Sequence, residues 1–284
     1  MDTSSKNTIC MNIAWRDREW ILPYVMEGIY NLDYPKEKIG FRFIVNDSAD
    51  NSFRKLMQFK RQYGKEYRFI SVWTMNMGSV KDKRNVDTRR KTVWVMQILK
   101  NIFMDASSKR DEYFMFMDSD IILEKDTLKK LVGADKDIIA ALCNNGPLGS
   151  EGIYNFLSYN SHLNRFDRNM DWGAVVNSYE PVKVDLIAGI FLMRHWLTKK
   201  IRFYQAYKNT FSEDEGATRD LMRLGIERWI HPDAFVHHIM SGEHLTDYIN
   251  KTGAKGLDLN SKWVDTRLDD EGNGDIMEEA VGER

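Results

Sequence analysis

The sequence predicts an α/β protein with a mostly parallel central sheet and helices on both faces. Short runs rich in branched and aromatic residues alternate with stretches of helical periodicity, as in β-α units. One run, 113–117 (YFMFM), is apolar at every position, which suits a central strand covered on both sides. Polar residues close the runs at 46–48 (NDS) and 118–120 (DSD), at the strand ends where open α/β sheets gather ligands.

Taken in order, strands are expected at 9–14, 41–45, 69–73 and 113–117. Between the first two, residues 19–31 place Ile21, Leu22, Val25, Met26 and Ile29 at helical spacing and stop at the turn-like NLDYP. Residues 89–104 form a broad apolar face with Val93, Met96, Leu99 and Phe103, suited to packing on a sheet. From 144 to 181 the chain is rich in Asn, Gly, Ser and aromatics without a period, and reads as a structured insert or acceptor-side region. Regularity returns at 182–194, in a helix near 214–224 and in a strand-like FVHH at 235–238. The expected organisation is a Rossmann-like lobe at 1–143, a second lobe of the same domain at 144–254, and a polar acidic tail at 255–284.

With 284 residues the chain can bury a full α/β core. Lysine plus arginine (41) nearly balances aspartate plus glutamate (42), so no global field favours nucleic acid or an anionic membrane. Cys10 and Cys143 stand far apart, with neither a disulfide framework nor zinc-ligand spacing. No window is long and apolar enough for a transmembrane segment, and the opening residues lack a signal-peptide pattern. The location expected on these grounds is cytoplasmic.

Asp118 and Asp120, two apart past a strand end, can both turn toward one hard cation, Mg²⁺ or Mn²⁺, although an Asp-x-Asp also serves as a solvated turn or cap. Asp47 closes the second strand and can accept a base N–H, of uracil or guanine, or form an Asx turn. Glu213 and Asp214 open a helix, either as dipole-favoured caps or as a base or clamp for an acceptor hydroxyl whose ionised form the helix terminus holds. Of His237 and His238, one imidazole can complete a cation's shell while the other faces the opposite side of an extended chain. Arg84, Arg89, Arg90 and Lys91 can meet phosphate oxygens or form a solvated helix start. Trp172, with Tyr159, Phe166 and Tyr179, can stack on sugar faces or pack into a core.

In order along the chain, NLDYP, FIVNDSADNS, YFMFMDSDIILEKDTLKKLV, VDLIAGIFLMRH and SEDEGATRDLMRLGIERWIHPDAFVHHI together resemble GT-A glycosyltransferases of the broad family 2-like group, over residues 9–239. The resemblance implies a Rossmann-like nucleotide-binding lobe with Asp47 at the base, Asp118 near ribose and metal, and Asp120 as principal metal ligand. It implies His238 at the metal or diphosphate, Gly189 beneath the acceptor, and Glu213-Asp214 as the acidic pair whose Asp is commonly the base of inverting members. Asn46 stands where many members carry Asp, Glu215-Gly216 and Arg219 depart from the common continuation, and no QxxRW-like processive motif is present.

The expected function is a metal-dependent transfer of one sugar from a nucleoside diphosphate, UDP-sugar first and GDP-sugar second, to a hydroxyl-bearing acceptor: a glycan, a protein or a lipid-linked group. The rivals are a sugar nucleotidyltransferase, which normally shows a glycine-rich phosphate loop where this chain reads AWRDREW, and a non-catalytic carbohydrate-binding protein on the same fold.

Overall fold

The computed structural model describes residues 7–78, 86–148, 152–168, 171–206 and 212–260, with the backbone alone for 86–89. The first half follows the expected alternation: β1 (Ile9–Trp15), α1 (Leu22–Tyr30), β2 (Ile39–Asn46), α2 (Ser52–Tyr63), β3 (Phe69–Met75), α3 (Val86–Asp105) and β4 (Tyr113–Met117). Then come β5 (Ile121–Leu123), α4 (Thr127–Gly133) and β6 (Ile138–Cys143). The aperiodic stretch holds β7 (Phe156–Asn160), β8 (Arg165–Asp167) and α5 (Trp172–Val176), and leads into β9 (Val182–Val184), β10 (Leu186–Ile187) and β11 (Ile190–Arg194). The described chain closes with α6 (Asp214–Arg223), β12 (Arg228–His238) and α7 (Gly242–Thr252).

The central sheet runs β3-β2-β1-β4-β11-β6-β12-β5, with β9 added on β12, while β10-β7-β8 form a separate small sheet. The four strands β3, β2, β1 and β4 are parallel, so the chain leaves all of them at one edge. β11 lies antiparallel to both β4 and β6. Strands from beyond residue 144 therefore complete the sheet that the first lobe begins.

Alternate residues of a strand point to opposite faces, and each face here has its own apolar layer. Ile9, Met11 and Ile13 pack with Leu22, Val25, Met26 and Ile29 of α1 and with Leu56 and Phe59 of α2. Phe114 and Phe116 pack on the other side with Val95, Leu99 and Phe103 of α3 and with Ala217 and Leu221 of α6. This is the expected arrangement of helices on both faces.

Two departures have local causes. Helix α1 begins at Leu22, after the loop at 16–21, with Pro23 in its first turn, where a missing N–H costs nothing. Strand β12 is far longer than FVHH: Pro232 argues against a strand, but the register on β6 shifts between His231 and Phe235, and this bulge accommodates it. Of the expected tail, 255–260 return to α1, where the Leu257 N–H donates to the Pro23 carbonyl at 3.0 Å and Leu259 is buried. Residues 261–284 lie outside the described residues.

Gly216 in α6 sets how closely that helix approaches the 201–206 segment. A Cβ there would lie 2.1 Å from the Tyr204 carbonyl oxygen and 2.7 Å from Tyr204 Cγ. Overpacking of this kind costs about 1–3 kcal/mol, against about 1 kcal/mol gained from helix propensity. Gly216→Ala is expected to lower the urea midpoint, whereas Gly133→Ala, at a position open on all sides, should leave it unchanged or raise it. Equal midpoints for the two variants would contradict so close an approach.

Candidate active site

The site forms where three strand ends meet. Leaving β4, the chain turns through Asp118, Ser119 and Asp120 into β5. The Asp118 N–H donates to the Gly189 carbonyl (2.8 Å), and the Asp120 carbonyl accepts the Ile239 N–H (2.7 Å). Gly189 precedes β11, whose register sets Ile190 opposite Met117. Its φ of +75° is in the left-handed region, and a Cβ would come within 3.3 Å of Asp118 Oδ2. At the end of β12, His238 stands opposite Ile121. One ligand atom from each of Asp118, Asp120 and His238 lies within 4.8 Å of the others.

Asp120 is held from two sides. Its Oδ1 lies 3.1 Å from His238 Nε2, and its Oδ2 accepts from Arg18 Nη2 at 2.9 Å. Arg18 belongs to the loop after β1, at the same sheet edge. The other ring nitrogen of His238 is 2.9 Å from Asn145 Oδ1. Burial works to raise the Asp120 carboxyl, but His238 and Arg18 outweigh it and hold it below the usual carboxylate range. Burial pushes Asp118 up to about 7 against the pull of Lys100, with Asp120 adding to the rise. For His238, burial lowers proton affinity, and Asp120 more than reverses this.

Two carboxylates and an imidazole form a donor set that fits a divalent cation of the Mg²⁺ or Mn²⁺ type. Arg18 Nε, on the side chain whose Nη2 holds Asp120, is buried without a hydrogen-bond partner among the described residues, as expected of a place that receives a polar ligand.

Behind this edge lies a second charged group. Lys100, on α3 and only 2% exposed, extends Nζ to 2.7 Å from Glu213 Oε1 and 2.6 Å from Asp214 Oδ1. The rings of Phe116 and Phe203 lie 4.5 and 5.0 Å from the ammonium. This corrects the expectation that the helix terminus holds the acidic pair. Glu213 occupies the N-cap position without a side-chain cap bond, and both carboxylates turn inward to the buried cation. Ser212 Oγ instead accepts the Asp214 N–H at 3.1 Å. Burial pushes Asp214 up to about 6; Lys100 opposes the rise and Glu213 adds to it.

The other candidates fall in different places. Asp47, at φ +49°, accepts the N–H groups of Met77 and Gly78 on Oδ1, each at 3.0 Å, an Asx-type closure of the β2 end at the ligand edge. His237 points away from the carboxylates and pairs with Glu124 at 2.7 Å. Arg90 is exposed on α3, while Arg84 and the Arg89 side chain lie outside the described residues. Trp172, 40% exposed, lies with its ring 5.9 Å from that of Tyr154. Tyr159 and Phe166 pack together under the Arg219 guanidinium, and Tyr179 is exposed.

Sequence reasoning missed Arg18, Lys100 and Asn145. Arg18 carried a usable signal, a basic residue just past the first strand end. Lys100 sits among the apolar positions of α3 at 99–103, where an unpaired charge is unexpected.

Residues 6–210 match the family model described as glycosyltransferase family 25, N-terminal domain. Two mouse proteins are similar: inactive glycosyltransferase 25 family member 3, 23% identical over 49% of this chain, and procollagen galactosyltransferase 2, 24% identical over 52% of it. The match spans about a quarter of each relative's length, 24% in both. Among solved structures, GalNAc-T7 with UDP, GalNAc and Mn²⁺ superposes with a TM-score of 0.54 at 12% identity, covering 81% of this chain and 43% of that one. The shared fold is GT-A.

Lys100→Met removes the cation that neutralises two buried carboxylates and should destabilise the protein by about 3–5 kcal/mol at pH 8. Asp214, raised from 3.8 to about 6, contributes stability that is present below 3.8 and lost as pH rises through about 6. Without Lys100 its carboxyl rises further, so the deficit against the parent should shrink from pH 8 to pH 5. Urea unfolding at both values checks this; a deficit independent of pH would contradict the assigned pairing.

Proposed function

The chain belongs to the glycosyltransferase family 25 N-terminal domain family, and on that premise we propose that it transfers one sugar from a nucleoside diphosphate to an acceptor hydroxyl with the help of a divalent cation. The observation that carries this reading is the convergence of Asp118, Asp120 and His238 at the ligand edge of the sheet, beside Gly189. UDP-sugar is the favoured donor, supported by the UDP and Mn²⁺ bound to GalNAc-T7 and by the galactosyltransferase relative; GDP-sugar is second. On this reading 1–143 supply the donor side and 144–254 the acceptor side.

Asp118, Asp120 and His238 would hold Mn²⁺ or Mg²⁺, which when bound supplies positive charge to the departing diphosphate. Arg18 holds the Asp120 carboxylate in place. Asp47 lies toward the base. Asp214, with Glu213 beside it, takes or orients the proton of the acceptor hydroxyl as its oxygen bonds to the anomeric carbon and the bond to the diphosphate breaks. Lys100 keeps Asp214 ionised near neutral pH by opposing the rise that burial imposes. The acceptor is a hydroxyl on a glycan, a protein or a lipid-linked group.

A second reading, a non-catalytic member of the fold, is favoured by the similarity to a relative named inactive. Incubating the chain with a panel of nucleotide-sugars and Mn²⁺, read by donor hydrolysis and thermal shift, separates the two. Hydrolysis supports the enzyme, and binding without turnover against any acceptor class supports the second reading.

Asp120→Ala is expected to abolish Mn²⁺-dependent UDP binding with the fold retained. His238→Ala should weaken the metal response while His237→Ala leaves it unchanged, and undiminished Mn²⁺ dependence in Asp120→Ala would remove the cation assignment. Asp214→Asn should lower transfer by about 10²- to 10⁴-fold with donor binding retained. Transfer near the parent rate would instead leave the acidic pair a purely structural role.

A further inference from the structure

We infer that Asn145 is a positioning residue for the cation site: it holds the His238 ring with Nδ1 carrying its hydrogen and Nε2 facing Asp120. The inference rests on the proposed reading of Asp118, Asp120 and His238 as cation ligands. Asn145 follows β6, and its own N–H donates to the Ile153 carbonyl at 2.6 Å. Its neighbour Asn144 bridges to Tyr154. Strand and insert together thus fix the backbone at this point.

The Asn145 side chain is satisfied in one direction. Its Oδ1 lies 2.9 Å from His238 Nδ1 and accepts the Cys143 thiol hydrogen at 3.4 Å. An amide oxygen only accepts, so the ring nitrogen facing it must carry a hydrogen. Nε2, 3.1 Å from Asp120 Oδ1, is then the nitrogen aimed at the carboxylate cluster. A metal-binding histidine whose second nitrogen is held in this way has its tautomer and ring plane set before the ion arrives, and losing the holding group typically lowers metal affinity about 10- to 100-fold.

Asn145 also joins two parts of the site. On one side it touches a residue of the carboxylate cluster; on the other its N–H is bonded to Ile153, in the segment ahead of β7.

The test uses the whole chain with ¹⁵N-labelled histidine, comparing the parent with Asn145→Ala and Asn145→Asp; the second variant keeps an acceptor oxygen. In metal-free protein, the His238 Nδ1–H resonance should be protected from exchange in the parent and in Asn145→Asp, and lost in Asn145→Ala. Calorimetric titration with Mn²⁺ alone should show affinity reduced about 10- to 100-fold in Asn145→Ala and within a few fold of the parent in Asn145→Asp. A protected Nδ1–H in Asn145→Ala overturns the inference, as does parent-like Mn²⁺ affinity in that variant. A parent that binds no Mn²⁺ fails the cation reading itself and this inference with it. Parent binding that survives Asn145→Ala unchanged fails only the role of Asn145.

Discussion

The arrangement depends on a buried ammonium. Lys100 is nearly inaccessible, and such a charge is tolerated only with close partners, because each unpaired ion left in the interior costs several kcal/mol. Glu213 and Asp214 are those partners, and they are equally unable to remain buried without Lys100. This mutual requirement ties three elements together. Helix α3 must cross behind β4 at the height of Phe116, α6 must begin beside Tyr204, and Gly216 must be small enough to allow it. The acidic pair thus stands where the packing of two helices puts it.

The same rule separates the two carboxylates of the Asp-Ser-Asp turn. Asp120 faces Arg18 and His238 and is stabilised as an anion, whereas Asp118 sits against Gly189, with Lys100 as the strongest opposing influence, and is driven up to about 7. Residues of the same type, two positions apart, thereby acquire opposite tendencies.

Much of the first half was legible because its determinants are local. Strand runs and helical spacing placed β1 to β4, α1 and α3 within a few residues, although α2 went unread, and the unbroken YFMFM pointed to the turn that follows it. The acidic pair and one of the two histidines were visible through residue type and position along the chain, and the family resemblance picked out His238. The partners of Arg18 and Lys100 were not visible, since only the folded chain brings Arg18 to Asp120, 102 residues away, and Lys100 to Asp214, 114 away. Asn145 was hidden in a stretch without period, and the length of β12 was masked by Pro232, which is admitted by a bulge that only its pairing partner defines. Local pattern gave the scaffold and the loop, while the groups that tune the loop come from tertiary packing.

The antiparallel strand β11 bears on how the sheet is assembled. It lies between β4 and β6, and among the described residues the neighbours of β6 are β11 and β12, both later in the chain. During synthesis β6 therefore emerges without a partner, and β4 keeps one edge open until residues 190–194 arrive. Pairing over such separations is slow, because a long loop must close before any contact rewards it. An uncovered strand that is apolar at every position is also a template for joining another copy of itself. Gly189, whose carbonyl secures the Asp118 N–H, arrives with β11, so the step that closes the most adhesive edge of the nascent sheet is the step that assembles its chemistry.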